Sequence, residues 1–203
     1  AVDRHRERLA PQPAFLVRPE VLEELGRATD LTPYLATMTQ YAPLAGDRFD
    51  PAKAGGGALM DLAPHGLDLV DFLLDESIHD LAALTQARAQ DYAVDDGALL
   101  IGRTPSGVLA NLHVAYNCPD ALPRRRLEVT GTQGLLTAVD TMGQVAGGTL
   151  SFTDGSTGAS DTLPFDGEAS PFLEQVKAFG SALRRPEERA AYSASRDLHT
   201  MRL

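Results

Sequence analysis

The sequence predicts an α+β fold in which an open-faced, mostly antiparallel sheet carries its helices on one face. Residues Ala58–Asp75 repeat apolar side chains at three- and four-residue spacing, which is typical of a helix buried along one side. Between Leu81 and Phe165 the apolar residues alternate instead, which indicates strands joined by short turns. Helical spacing returns after Pro171, so helices flank one long run of strands rather than alternating with them.

The predicted elements follow one another without an internal repeat. A short helix is expected from Pro19 to Gly26, because proline is tolerated at a helix start and glycine often ends one. A strand at Leu35–Tyr41 and a glycine- and proline-rich loop at Pro43–Gly57 lead into the main helix. The strands expected after that helix are Leu81–Gln90, Ala98–Arg103, Gly107–Tyr116, Arg126–Thr130, Leu135–Val139, Thr149–Phe152 and Thr162–Phe165. The helices expected to close the chain are Pro171–Leu183 and roughly Ala190–Leu203.

Composition and charge narrow the function classes. The 203 residues have an ordinary globular composition, and we expect a lead-in segment at residues 1–12 and a single domain over residues 13–203. A formal charge of −10 argues against a nucleic-acid partner, since such proteins hold phosphates with Lys and Arg. No apolar run approaches the roughly 18 residues that cross a bilayer, so no membrane partner is expected. The single cysteine, Cys118, excludes an internal disulfide and fits a reducing, cytoplasmic location.

The glycine-led start of the main helix carries the strongest chemical signal. On a continuous helix, Asp61, His65 and Asp68 lie at positions i, i+4 and i+7 and form a polar stripe on an otherwise apolar element. An acid beside an imidazole fixes its tautomer and raises its basicity, as general acid/base catalysis requires. The three residues before the helix lack a Cβ, so their backbone can approach a ligand closely; they are Gly55, Gly56 and Gly57.

A structural role for the same residues is the open alternative. A histidine on an apolar helix is more often a satisfied core residue than a catalytic one. Pro64 removes a backbone hydrogen bond, so the helix could begin near residue 62, with Asp61 as its cap.

Other polar residues give weaker signals. Tyr116, Asn117 and His113 lie near the end of one strand and could line a sugar site, or could face solvent or a subunit interface. A metal site that combines the helix with His113 or His79 has no recognised ligand spacing, so no metal is expected.

The segment GGGALMDLAPHGLDLVDFLL resembles the family of glucose–fructose oxidoreductase, inositol dehydrogenase and the rhizopine-catabolism protein (Gfo/Idh/MocA). Members of this family carry Gly-Gly-Gly-Ala-Leu-x-Asp-x-Gly-x-His-x-x-Asp at the start of the main helix of their C-terminal domain. The resemblance covers roughly residues 13–203 and includes the Leu127–Gly134 hairpin and the Pro171–Leu173 helix start. Ala63 stands where the family usually has glycine.

The resemblance implies the C-terminal part of a sugar or polyol dehydrogenase, with an open sheet face that mediates homodimers or homotetramers. Asp61 and His65 would bind the substrate hydroxyl, with His65 as the acid/base, and Tyr116 and Asn117 are further substrate-binding candidates. NAD or NADP would bind to an N-terminal Rossmann domain, next to Gly55–Gly57, and that domain would add a lysine from a Glu-Lys-Pro motif.

The chain departs from the family in what it lacks. It has no Gly-x-Gly-x-x-Gly, and its two lysines, Lys53 and Lys177, lie outside any Glu-Lys-Pro. We therefore expect the Rossmann domain to be absent, and the isolated chain to be inactive and without tight NAD(P) binding. Two alternatives stay open: a stand-alone assembly or binding module of the same fold, and an independent hydrolase or metal-dependent enzyme that uses Asp61 and His65.

Overall fold

The structure, a computed structural model, describes residues 33–41, 52, 55–89, 91, 93–119, 121–185 and 198–202. The expected lead-in segment and the expected helix at residues 19–26 lie outside these residues. The described elements, in chain order, are β1 (Pro33–Tyr41), α1 (Ala58–Leu74), β2 (Asp80–Gln86), β3 (Gly97–Arg103), β4 (Leu109–Ala115), β5 (Arg125–Gly131), β6 (Gly134–Val139), β7 (Thr149–Asp154), β8 (Ser160–Thr162) and α2 (Pro171–Arg184).

The chain forms two compact units, and the division falls within β5. The first unit spans residues 33–129, and the described part of the second spans residues 130–185 and 198–202. The expectation of a single domain over residues 13–203 stays a prediction.

In the first unit the strand order is β2-β3-β4-β1. The β2/β3 and β3/β4 pairs are antiparallel, whereas β1 runs parallel to β4. The register places Leu84, Leu99, His113 and Thr39 in one row across the four strands. Because side chains of paired residues point to the same side of a sheet, this row lies on a single face.

Helix α1 covers the other face of this sheet and packs against β4, β1 and β3. In β4, Ala110, Leu112 and Val114 are buried, while the residues between them are only half-buried. The large apolar residues on the uncovered face are each 44% to 75% exposed; they are Leu84, Leu99, Ile101 and Leu109. The open-faced sheet with a helix on one face is therefore as the sequence predicts.

In the second unit, β6, β7 and β8 form an antiparallel meander. Helix α2 follows it and begins at Pro171, with Ser170 as its N-cap residue. Neither described helix combines the length and the apolar character that a bilayer crossing requires.

Two predicted strands differ from the structure by more than two residues at one end. Strand β2 ends at Gln86 rather than Gln90, because the amides of Arg88 and Ala89 turn inward to the Asp96 carboxylate. Strand β8 is Ser160–Thr162 rather than Thr162–Phe165, since Pro164 has no amide to donate to a neighbouring strand.

The expected C-terminal helix is described only at residues 198–202, where residues 198–200 form a helical turn. The rest of that prediction, which began near residue 190, lies outside the described residues.

Candidate functional site

Helix α1 carries the two residues that the sequence singles out for catalysis. It is continuous through Pro64, so Asp61 and His65 lie four residues apart on one helix and therefore on one face. The amide of Asp61 already donates to the carbonyl of Gly57 at 3.1 Å, as a helical residue does. The alternative in which Asp61 caps a helix that starts near residue 62 is therefore wrong.

The side chains of α1 divide into a buried face and a partly exposed one. Asp61, His65 and Asp68 are all partly exposed. The residues that pack into the protein are Ala58, Leu62, Ala63, Gly66, Leu67, Leu69 and Val70. The polar stripe thus runs along the border between the buried face and the exposed surface of α1.

The first turn of α1 is capped from a distant loop. Its N-cap residue is Gly57, which has no side chain to accept a hydrogen bond. The Asp95 carboxylate takes that role: one oxygen accepts from the Gly57 amide at 3.0 Å, the other from the Leu59 amide at 2.7 Å. The main-chain carbonyl of Asp95 accepts from the Ala58 amide at 3.0 Å. One residue between β2 and β3 therefore holds three consecutive amides.

The same contact explains one of the three glycines. A Cβ at Gly57 would lie 2.0 Å from the carbonyl oxygen of Asp95, so only glycine allows this approach. Gly55 has φ of +78°, in the left-handed region that favours glycine. The cofactor-adjacent role of Gly55, Gly56 and Gly57 stays a prediction, while the structure gives Gly57 a reason within the protein itself.

The next residue, Asp96, ties the second predicted substrate-binding segment to the same loop. Its carboxylate is fully buried, and it accepts from the side-chain amide of Asn117 at 3.4 Å. Its carbonyl accepts from the amide of Tyr116 at 2.9 Å. Tyr116 is itself 4% exposed, so any contact with a substrate would involve a small part of its surface. Substrate binding by Tyr116 and Asn117 stays a prediction.

His113 lies on the open face of the sheet, in register with Leu99, and not on the face that α1 covers. Burial lowers the pKa of its imidazole below the ordinary value. The sheet therefore separates His113 from Asp61 and His65, and a site that combines the three is wrong. Among the described residues, no group of three or more His, Cys, Asp or Glu side chains could hold a metal ion.

The start of α1 does not fit the pyrophosphate of a dinucleotide. A helix N-terminus binds phosphate through amides that have no other acceptor. Here the amides of Gly57, Ala58 and Leu59 already donate to Asp95, whose negative charge would repel a phosphate. We therefore assign no NAD(P) site to the described part of this chain.

Sequence reasoning missed Asp95 and Asp96, which lie between the predicted strands Leu81–Gln90 and Ala98–Arg103. A signal was present: a helix that starts after three glycines has no cap of its own, so its first amides need an acceptor from elsewhere. The sequence could not identify the residue, because the acceptor lies 36 to 38 positions away.

Comparisons with known proteins agree with this architecture. A family model described as the GFO/IDH/MocA C-terminal domain matches residues 24–137. A curated relative, the 1,5-anhydro-D-fructose reductase of Ensifer adhaerens, is 30% identical over 146 residues, which are 70% of this chain and 42% of that protein. The chain thus spans less than half the length of this relative.

Solved structures with the same fold are also longer than this chain. The aldose-aldose oxidoreductase from Caulobacter crescentus, complexed with glycerol, has a TM-score of 0.67 and 20% identity over 90% of this chain and 57% of its own. A levoglucosan dehydrogenase in complex with NADH and levoglucosan has a TM-score of 0.62 and 17% identity over 88% of this chain and 55% of its own. At these identities the similarity establishes the fold alone.

Proposed function

The chain belongs to the GFO/IDH/MocA family, and we propose that it is the substrate-binding part of an NAD(P)-dependent dehydrogenase acting on a sugar, a polyol or a related hydroxyl compound. The observation that carries this proposal is the placement of Asp61 and His65 one helical turn apart, partly exposed, on a helix with a buried opposite face. The names of the relatives support the substrate class, since they are a sugar reductase and sugar oxidoreductases.

In the proposed reaction, His65 accepts the proton of the substrate hydroxyl when a CH–OH group becomes a carbonyl, and returns it in the reverse direction. The hydride that leaves the same carbon would pass to NAD(P)+ and would return from NAD(P)H in the reverse direction. Imidazole suits this role because its ordinary pKa lies near neutral pH. Asp61 accepts a hydrogen bond from the substrate or from His65 and orients the group that moves the proton.

NAD or NADP would bind to a part of the intact protein outside this chain. The fraction of the relatives that the chain spans, 42% to 57%, leaves room for such a part. The isolated chain would then be inactive and would not bind the cofactor tightly.

Substitution of His65 in the intact protein tests the proposal. With 1,5-anhydro-D-fructose and NADH or NADPH as the probe, His65→Ala should lower turnover by about 10² to 10⁴, the usual contribution of a positioned acid/base. The control is His199→Ala, which truncates an exposed histidine in the other unit and should leave turnover unchanged. Wild-type turnover by a folded His65→Ala protein would contradict the catalytic role.

We further propose that the open face of the first unit packs against a second copy of the chain. Leu84 is 75% exposed and Ile101 is 56% exposed on this face, and apolar surface of this kind marks interfaces. The paired residues Asp80 and Arg103 lie on the same face, two residues along the strands from Ile101, and their ion pair gives the face a polar rim.

Light scattering on matched charge variants tests the assembly. Ile101→Glu should convert the oligomer to a monomer, because a carboxylate would be buried at the interface without a partner. Val145→Glu, which places the same charge on a single apolar residue that is 78% exposed between β6 and β7, should leave the mass unchanged. A monomeric wild-type protein, or an Ile101→Glu protein of wild-type mass, would contradict this interface.

The open face also favours the second candidate, a stand-alone assembly module of the same fold. In such a module, Ile101→Glu would still disrupt assembly. His65→Ala would have no effect on turnover, because the module would not catalyse the reaction. The two experiments together therefore distinguish the candidates.

A further inference from the structure

We infer that Asp95 is a positioning residue of this site: its carboxylate fixes the first turn of α1 and thereby the direction in which Asp61 and His65 face. The inference rests on the proposed function for its catalytic consequence, and on the hydrogen bonds at the start of α1 for its geometry.

Hydrogen bonds connect Asp95 to Asp61 through one intervening residue, Gly57. The carboxylate holds the Gly57 amide at 3.0 Å, and the Gly57 carbonyl accepts from the amide of Asp61 at 3.1 Å. The second carboxylate oxygen holds Leu59 at 2.7 Å, within the same turn. A shift of Asp95 therefore reaches the backbone of Asp61 through two short contacts.

Pro64 makes the first turn dependent on this support. Proline has no amide hydrogen, so the carbonyl of Met60 loses the partner that a regular helix would give it. The turn that contains Asp61 is thus joined to the remainder of α1 by fewer hydrogen bonds than the other turns. An external acceptor at its start replaces part of what the proline removes.

The loop that contains Asp95 also forms hydrogen bonds with both predicted site segments, the start of α1 and residues 116–117. Asp95 holds the start of α1, while the adjacent Asp96 holds Asn117 through its side chain and Tyr116 through its backbone. If a substrate binds between these segments, a change in the loop would alter the position of its binding residues relative to one another.

The opposite end of α1 offers a matched control. Asp71 accepts from the Ser77 hydroxyl at 2.8 Å and from the Ile78 amide at 3.3 Å, so it also anchors the helix through two hydrogen bonds. It lies ten residues after Asp61, or about 15 Å along the helix axis. Asp71→Asn should therefore loosen α1 to a similar extent without disturbing the site.

The experiment compares Asp95→Asn with Asp71→Asn in the intact protein, using 1,5-anhydro-D-fructose with NADH or NADPH. Asparagine keeps the shape but turns one acceptor into a donor that faces an amide. Asp95→Asn should lower kcat by about 10- to 100-fold, as a small misplacement of reacting groups does, and leave KM for the cofactor unchanged. Both variants should lower Tm, and by similar amounts, because each loses a carboxylate that anchors α1. Asp71→Asn should nevertheless keep kcat within about twofold of wild type.

Amide exchange followed by mass spectrometry gives a readout that does not depend on activity. Peptides that cover residues 57–61 should exchange faster in Asp95→Asn, and not in Asp71→Asn. Asp95→Glu, which restores both carboxylate oxygens on a longer side chain, should recover part of the protection and part of kcat. If Asp95→Asn does not fold, Asp95→Ser carries the same comparison, because serine retains one acceptor.

Equal kcat for Asp95→Asn and Asp71→Asn would overturn the inference, as would unchanged exchange at residues 57–61 in Asp95→Asn. Full turnover by His65→Ala would overturn the proposed function instead, and the exchange data would then still decide whether Asp95 holds the turn.

Discussion

Helix α1 has a glycine as its N-cap residue and is capped by the Asp95 side chain, whereas helix α2 is capped by the side chain of its own N-cap residue, Ser170. In α2 the Ser170 hydroxyl accepts from the Leu173 amide at 3.4 Å, and Pro171 occupies the first helical position. These are contacts within four residues of sequence. The contacts at the start of α1 cross 36 to 38 residues and exist only when the loop before β3 is in place.

The apolar faces of the two helices differ in the same way. Val70 of α1 is completely buried against the sheet of the first unit. The large apolar residues of α2 are instead 48% to 68% exposed; they are Phe172, Leu173, Val176, Phe179 and Leu183. The carboxylate and imidazole proposed for catalysis therefore belong to the helix that depends on tertiary contacts, and their geometry depends on the folding of the first unit.

Truncation of one valine in each helix should give the largest difference in stability between α1 and α2. Val70→Ala should lower the free energy of unfolding by about 2 kcal/mol, because it removes buried methyl groups and leaves a cavity. Val176→Ala should change it by no more than about 0.5 kcal/mol, because that side chain is already in solvent and alanine favours the helix. Denaturant unfolding of both variants measures the pair. Equal losses would mean that α2 is as buried as α1.

Substitution of alanine for a glycine within each helix, Gly66 in α1 and Gly180 in α2, should change the stability of the protein in opposite directions. A Cβ at Gly66 would lie 2.3 Å from a methyl carbon of Leu112, which is completely buried, so Gly66→Ala should cost about 1 to 3 kcal/mol. A Cβ at Gly180 would meet only the Arg184 guanidinium, at 3.6 Å, so Gly180→Ala should stabilise the protein by about 0.5 to 1 kcal/mol. Thermal unfolding checks the signs, and a stabilising Gly66→Ala would show that Leu112 can move aside.

The smallest effect concerns the loop that follows α1. Glu76 accepts from the Ser106 amide at 3.0 Å, and this bond, with the hydroxyls of Thr104 and Ser106, lowers the pKa of its carboxyl below 4.5. Because the folded protein favours the ionised form, the stabilisation is present above pH 4.5 and is lost as the pH falls through the lowered pKa. Glu76→Gln should therefore have a lower Tm than wild type at neutral pH and the same Tm in acid. A difference in Tm that persists in acid would exclude titration of Glu76 as its cause.

Short-range patterns accounted for most of the fold. The period of α1 predicted a helix from Ala58 to Asp75, and the observed helix ends one residue earlier. The alternation of apolar residues between Leu81 and Phe165 predicted the strands of an open-faced sheet, and the burial pattern of β4 agrees with one covered and one open face. Both patterns depend on side chains within a few residues of one another, so the chain order alone contains them.

Errors arose where a residue meets a distant part of the chain. Strand β1 pairs in parallel with β4, across more than seventy residues, and no pattern in either strand indicates a parallel neighbour. His113 and Tyr116 are close in sequence, yet His113 faces the open side of the sheet while Tyr116 is buried near Asp96.

The sequence by itself determined that Asp61 and His65 share one face of any helix that continues through Pro64, because four-residue spacing in an α-helix allows no other outcome. The structure decided that the helix is continuous there. Only the tertiary structure decided that Asp95 would cap that helix and that His113 would lie on the other side of the sheet. The reason is that local periodicity follows from backbone geometry, whereas long-range acceptors and covered faces follow from how the whole chain closes on itself.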